Sequence, residues 1–430
     1  MESAQGKICG LALRGVMFVG LLVALGAIPA RADVKPGDVI TRDNVDKAAE
    51  LLSPAMEWCV RHGWPLRIVE PKQIVWPKAF REATEKYASQ VQLSEDGLSL
   101  KNYVAGLPFP EIDPSDPRVA LKIMWNYEYK FHTTDDSDLR NFDADTGSLS
   151  TTSAMNVERH FLLDHFRRLF YNGRLYAEPK PEYTPNPNKF RSQQGLYPIL
   201  EPFDLKGVGS VGNRYVDPAK QDDQWLYLPS LRRVRRLSTA QRSDALFGQD
   251  TDVDSYYGYN GHIAWMEWRY LGEKEVLGAY QGKHFPVKWA DPPADWAFDD
   301  VWEKRKVWVI EGVSKLSQYA YSKRLLFIDK ESWTVPYSDI YDQAGELWKI
   351  WINDFSFRTS APTPNAIQYE DETGFVPAIV MVDIQLEHAT KASLPSHRYA
   401  GEQGWYFNQG EKAGVEPDWF TVAALVEAGS

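Results

Sequence analysis

The sequence predicts an α+β protein dominated by one large antiparallel sheet that curls into an open barrel. In the last half of the chain, Trp225 to Leu228, Val307 to Ile310, Leu325 to Ile328, Leu347 to Ile352 and Val380 to His388 are short runs rich in β-branched and aromatic residues. The stretches between them are too short for repeated crossover helices, which argues against a parallel sheet. The region before Pro117 reads as mixed helix and strand, and beyond Asp116 strands take over.

The first element is an export signal. Lys7 and Arg14 precede an uncharged apolar run from Gly15 to Ile28, which closes on Pro29, Ala30, Arg31 and Ala32. A basic start, a short apolar stretch and small residues before the cut predict a signal peptide over residues 1–32, cleaved after Ala32. A membrane span needs about 20 apolar residues, and this run stops short at a helix-breaking proline. Cys9 leaves with the signal, so Cys59 has no internal partner and is expected in the core. Losing Lys7, Arg14, Arg31 and Glu2 takes 48 basic and 59 acidic residues to 45 and 58, a net charge of −13. Such a surface disfavours nucleic acid. A periplasmic location follows.

Residues 33–118 read as a mixed α/β extension. Thr41 to Asn44 offer caps ahead of Val45, Ala48, Leu51 and Leu52, and a second helix is expected from Pro54 to Gly63. Leu66 to Val69 is a short strand, Pro77 to Tyr87 has helical spacing, and Asp96–Gly97 between alternating residues is a hairpin turn. Residues 119–430 form the sheet, packed with the extension as one unit. Asn172–Gly173 predicts another tight hairpin, although His160 to Phe170 could instead be helical. The proline-rich stretch from Glu178 to Pro202 reads as a long loop, a lid candidate alongside the N-terminal helices. Val380, Val382, Ile384 and Leu386 alternate with polar residues, as in a half-buried strand.

Candidate chemistry is sparse. His160, Asp164 and His165 have neither helical nor strand spacing for a shared metal. Asp250, Asp252 and Asp254 begin like a calcium loop, but Ser255 takes the glycine position and Gly261 that of the bidentate glutamate. Nucleophile elbows, metalloprotease motifs and nucleotide loops are absent from the sequence, so neither a catalytic centre nor a cofactor is expected. Carboxylates that spacing does not pair leave an exported hydrolase open. The basic run Arg232, Arg233, Val234, Arg235, Arg236 stands out in an acidic chain. Strand alternation puts one arginine pair on the face used for burial, so acidic neighbours such as Asp222, Asp223 and Asp244 should pair with it, or an anionic head group should. Sixteen Trp, 22 Tyr and 19 Phe can fill a large sheet or line a site for an apolar ligand.

Several blocks resemble one bacterial family. Gly106 to Pro110 with Asp113 to Pro117, Trp125–Asn126, Tyr227 to Leu237, and Gly258, Tyr259, Asn260, Gly261 look like the signature of the "domain of unknown function 1329" proteins, and Leu325 to Trp351 is similar to paired strands of the LolA/LolB carrier fold. The resemblance implies an exported carrier: a curved antiparallel half-barrel with helices over its concave, apolar face. It implies a hydrophobic ligand, such as a lipid, sterol or lipoprotein, passed to or from an outer-membrane or transporter partner. The expected ligand contacts are Trp225, Tyr227, Trp265, Trp308, Phe327, Trp348 and Trp351, with Arg233 and Arg235 at the entrance. An accessory subunit of a membrane complex is the other open reading.

Overall fold

Ser53 opens the first helix by accepting a hydrogen bond from the Met56 amide, Pro54 fits the first turn, and His62–Gly63 ends it. The resulting α1 (Pro54–Arg61) follows β1 (Val39–Ile40) and precedes β2 (Leu66–Ile68), α2 (Lys78–Tyr87), and the hairpin β3 (Gln92–Leu93) and β4 (Leu100–Lys101), which turns at Gly97. Where a capped helix was expected over Val45 to Leu52, two short 3-10 turns stand instead. This computed structural model describes residues 34–362, 366–396, 398 and 404–429, all within one contact unit, Ala32–Ser430. The signal peptide expected over residues 1–32 lies outside the described residues.

Strands do not take over directly after Asp116. Val119, Ala120, Ile123, Met124 and Tyr127 recur with helical spacing and build α3 (Val119–Glu128). The long strands come next: β5 (Asp136–Ser148), β6 (Asn156–Phe170), β7 (Phe190–Glu201), β8 (Gly209–Tyr215), β9 (Asp223–Leu228) and β10 (Arg233–Arg236). They are followed by β11 (Met266–Gly278), β12 (Val301–Ser314), β13 (Lys323–Asp329), β14 (Tyr337–Tyr341), β15 (Leu347–Arg358), β16 (Thr373–Asp383), β17 (His388–Ser393) and β18 (Gly404–Phe407), and α4 (Val422–Ala428) closes the chain.

Apart from the β3–β4 hairpin, these strands form one unclosed sheet in the order β1-β2-β12-β13-β14-β15-β16-β17-β5-β6-β7-β8-β9-β10, with β11 on β12 and β18 on β5. The β2–β12 pairing is parallel, and every other pairing of named strands is antiparallel.

Three local expectations are corrected. His160 to Phe170 is strand, and it pairs with β7 rather than turning at Asn172–Gly173. Instead Arg174 is buried and donates to the carbonyls of Asp135, Phe170, Ala177 and Pro179, while the Asp135 carboxylate accepts the amides of Leu175, Tyr176 and Ala177. The stretch Glu178 to Pro202 is therefore partly a packed connection and partly β7. Finally, β16 stops at Asp383 and the chain turns through Glu387, at φ 47°, into β17, so Ile384 and Leu386 do not continue the strand.

Both faces of the central strands are covered. Along β15 and β16, Trp351, Ile379 and Met381 face one core, while Ile350, Ile352, Val380 and Val382 face another. The second core takes in Met56, Cys59 and Val60 of α1 together with Trp64, Trp296, Phe298 and Trp302. Trp64 meets Trp296 edge-on at 5.2 Å and Phe298 at 4.9 Å.

Candidate ligand-binding site

On the first face the packing leaves a hollow of about 110 Å³. Its floor is Leu139, Phe142 and Ala144 of β5, Leu163 and Phe166 of β6, and Leu196 and Ile199 of β7. Trp351, Ile379 and Ala392 wall one side, and Leu246, Phe247, Tyr256 and Tyr257 cover it. Leu139 and Phe142, three residues apart, can share a face because Asn141 between them takes a left-handed backbone, φ 52°. Among the described residues no α-helix contributes to the lining. The core that includes α1 lies on the opposite face, which removes that helix as a lid candidate.

The cover is held by polar contacts. The Asp250 carboxylate meets His388 Nδ1 at 2.8 Å and accepts from the Thr390 hydroxyl at 2.9 Å, while the Asp250 amide donates back to Thr390 Oγ1 at 2.8 Å. The hydrogen bond to Asp250 and the nearby Glu158 charge raise the His388 pKa.

Beside the hollow, on the same face, lies a buried ionic cluster. Arg214 and Arg242 each reach Asp222 at 3.0 Å, Arg242 also reaches Asp254 at 2.5 Å, and both donate to the Asn260 carbonyl. Arg191 pairs with Glu128 at 2.9 Å. Burial alone would raise the Glu128 carboxyl, but Arg191 and Arg214 outweigh it and hold it at about 2. Burial pushes Lys130 down to about 7 and His262 to about 3. Asp250, Asp252 and Asp254 do not converge on a shared ion: they turn to His388, to Tyr321 and Ser255, and to Arg242 and Tyr319. His160 and His165 likewise pair with separate aspartates, Asp145 and Asp138.

Residues 39–425 match the family described as "Protein of unknown function (DUF1329)". The chain belongs to this family. Gly258 to Gly261, within the matched residues, lies directly after Tyr257 in the cover, and its Asn260 joins Arg168, Arg214 and Arg242. An uncharacterised protein of Pseudomonas aeruginosa is 24% identical over 354 residues, covering 77% of this chain and 73% of that protein. Among solved structures, a candidate outer membrane lipoprotein-sorting protein domain from Vibrio parahaemolyticus is 17% identical with a TM-score of 0.47, over 71% of this chain and 98% of that one. A DUF1329 family protein from Desulfovibrio piger is 14% identical with a TM-score of 0.41, over 68% of this chain and 92% of that one.

Of the residues read as ligand contacts, Trp351 lines the hollow, its Nε1 held by Asn353 Oδ1 at 2.8 Å. Phe327 faces the other core, beside Tyr337, because it differs in strand parity from Leu326 and Ile328. Trp308 is buried beneath the Lys330 ammonium at 3.8 Å, and half-buried Trp348 donates to Asp383. Trp265 packs against the Arg242 and Arg214 guanidinium groups, at 4.6 and 5.6 Å. Tyr227 and Trp225 belong to a small cluster with Leu425 of α4. Arg233 and Arg235 are exposed on β10. The expectation that one arginine pair of this run must be buried is overturned: β10 is the sheet's last strand, all its arginines are exposed, and Arg236 reaches Asp223. Asp222, expected to serve this run, serves Arg214 and Arg242 instead. The lining residues the sequence did not single out, Phe142, Leu163, Phe166, Phe247 and Tyr257, come together only through register and the path of the cover.

Proposed function

We propose that this DUF1329 protein is an exported carrier that holds the apolar part of a lipid-like molecule between the sheet and the Leu246–Tyr257 cover. The hollow at Phe142, Leu163, Phe166 and Ile379 carries this reading, since its walls are almost entirely aliphatic and aromatic. About 110 Å³ is of the order of the ~150 Å³ apolar cavity that holds benzene in another protein, so a short chain segment fits without rearrangement. Each buried methylene contributes about 0.8 kcal/mol, and a longer chain enters by lifting the polar-latched cover. The carboxylates Glu128, Asp222 and Asp254 beside it are matched with arginines, which favours binding over hydrolysis. No helix among the described residues is long and apolar enough to cross a membrane. We place the protein in the periplasm, handing its ligand to or from a membrane partner.

The test is titration with the neutral fluorescent probe N-phenyl-1-naphthylamine. Saturable binding by the wild-type chain that falls at least tenfold in Ala392→Phe supports the reading. A wild-type protein that does not bind, or binding indifferent to Ala392→Phe, rejects it.

A further inference from the structure

Strand parity joins the hollow to a second, smaller pocket. Phe166 and Arg168 are successive residues on one face of β6, as are Leu196 and Gln194 on β7. Phe166 and Leu196 line the apolar hollow, whereas Arg168 and Gln194 line a polar one with Arg214 and Arg242. Two residues of strand advance about 7 Å, so the hollows are adjacent along the same strands.

Arg168 differs from its neighbours. Arg191, Arg214 and Arg242 each have a carboxylate partner, but no described carboxylate comes within 4.0 Å of Arg168. Its guanidinium donates to Asn260 Oδ1 at 2.6 Å and lies 5.4 Å from the centre of the Tyr257 ring. Asp222 and Asp223 also line the polar pocket, yet the first is taken by Arg214 and Arg242 and the second by Tyr215 and Arg236. Half-buried at the rim of the polar pocket without an anion, this guanidinium presents a fork of donors that suits a carboxylate or phosphate.

Tyr257 links the two hollows. It lines the apolar one, and its buried hydroxyl lies beside the Arg168 guanidinium with no other polar partner among the described residues. Its backbone is left-handed, φ 59°, a strained state for an aromatic residue, with its carbonyl held by the Tyr127 hydroxyl at 3.2 Å. A buried hydroxyl and an anionless guanidinium thus stand together where the apolar hollow meets the polar pocket.

We propose that the occupant is an anionic amphiphile, whose chain enters the apolar hollow and whose carboxylate or phosphate head is bound by Arg168 with the Tyr257 hydroxyl. The inference rests on the carrier reading above and names its ligand class.

Dodecanol, dodecanoate and dodecyl phosphate share a chain and differ at the head, so calorimetric titration of all three separates the two claims. The wild-type chain should bind at least one anion tenfold or more tighter than dodecanol, and the stronger anion identifies the head. Arg168→Met should abolish that preference with dodecanol affinity unchanged, Arg168→Lys should restore part of it, and Tyr257→Phe should weaken the anion about threefold. Equal binding of all three by the wild-type chain overturns the head-group site and leaves the carrier reading standing. Binding of none overturns both. Should Arg168→Met fail to fold, the wild-type comparison and Tyr257→Phe still decide.

Discussion

The two faces of the central sheet use the same kinds of side chain and end differently. On one, α1 and a set of interlocked rings, Trp64, Trp296, Phe298 and Trp302, leave nothing exposed. On the other, an irregular segment latched through Asp250 spans comparable residues and leaves a hollow. Aromatic content therefore does not mark a ligand site. What marks it is a cover that meets the sheet through a few polar contacts instead of a continuous apolar face.

Substitutions that treat the faces unequally test this contrast. The largest effect belongs to the filled face, where Trp64→Ala should cost roughly 3–5 kcal/mol in urea unfolding while leaving probe affinity in the surviving folded protein unchanged. Nearly as large is a pH effect on the same face. Asp339 is fully buried against Ser53 and Ala55, and burial pushes its pKa from 3.8 to about 7. Between those values the folded chain keeps a proton that the unfolded chain has lost, so the contribution of Asp339 to stability is greatest below about 4 and falls as pH rises to about 7, by roughly 4 kcal/mol. Asp339→Asn should flatten that slope in melts across the window, and an unchanged slope would assign it to other groups. On the hollow face, Ala392→Phe should gain about 0.5–2 kcal/mol, since it fills space. A loss of more than about 2 kcal/mol would mean that the site is already packed. The smallest change is Thr390→Val, which leaves the Asp250 amide without its acceptor and should cost about 1 kcal/mol. Amide exchange should quicken in Leu246–Tyr257 and stay the same in β15 and β16.

Local chemistry made part of this legible. Ser53, Pro54 and Gly63 bound α1, Asp96–Gly97 turns the first hairpin, and the β12, β13 and β15 segments lie where their residue types place them. The family blocks were equally readable, and residues 39–425 match that family. α3 was missed although Val119, Ile123 and Tyr127 carry its period, because strand-rich sequence follows. β7 was hidden by the prolines before and within it, and the β16–β17 turn by Glu387, whose left-handed backbone no glycine announced. The hollow was not legible at all. It depends on the left-handed backbone of Asn141, which turns Leu139 and Phe142 to one side, and on a cover without periodicity, so tryptophans drew attention that belonged to Leu163, Ile379 and Tyr257.

The sheet stops at β10, which pairs with β9 alone, and a strand end of that kind offers free backbone groups to any passing chain. Here Arg233, Arg235 and Arg236 stand outward from it. A second copy approaching edge to edge would set guanidinium against guanidinium. Whatever else the basic run meets, its charge opposes edge-to-edge growth of a protein with so much β-structure.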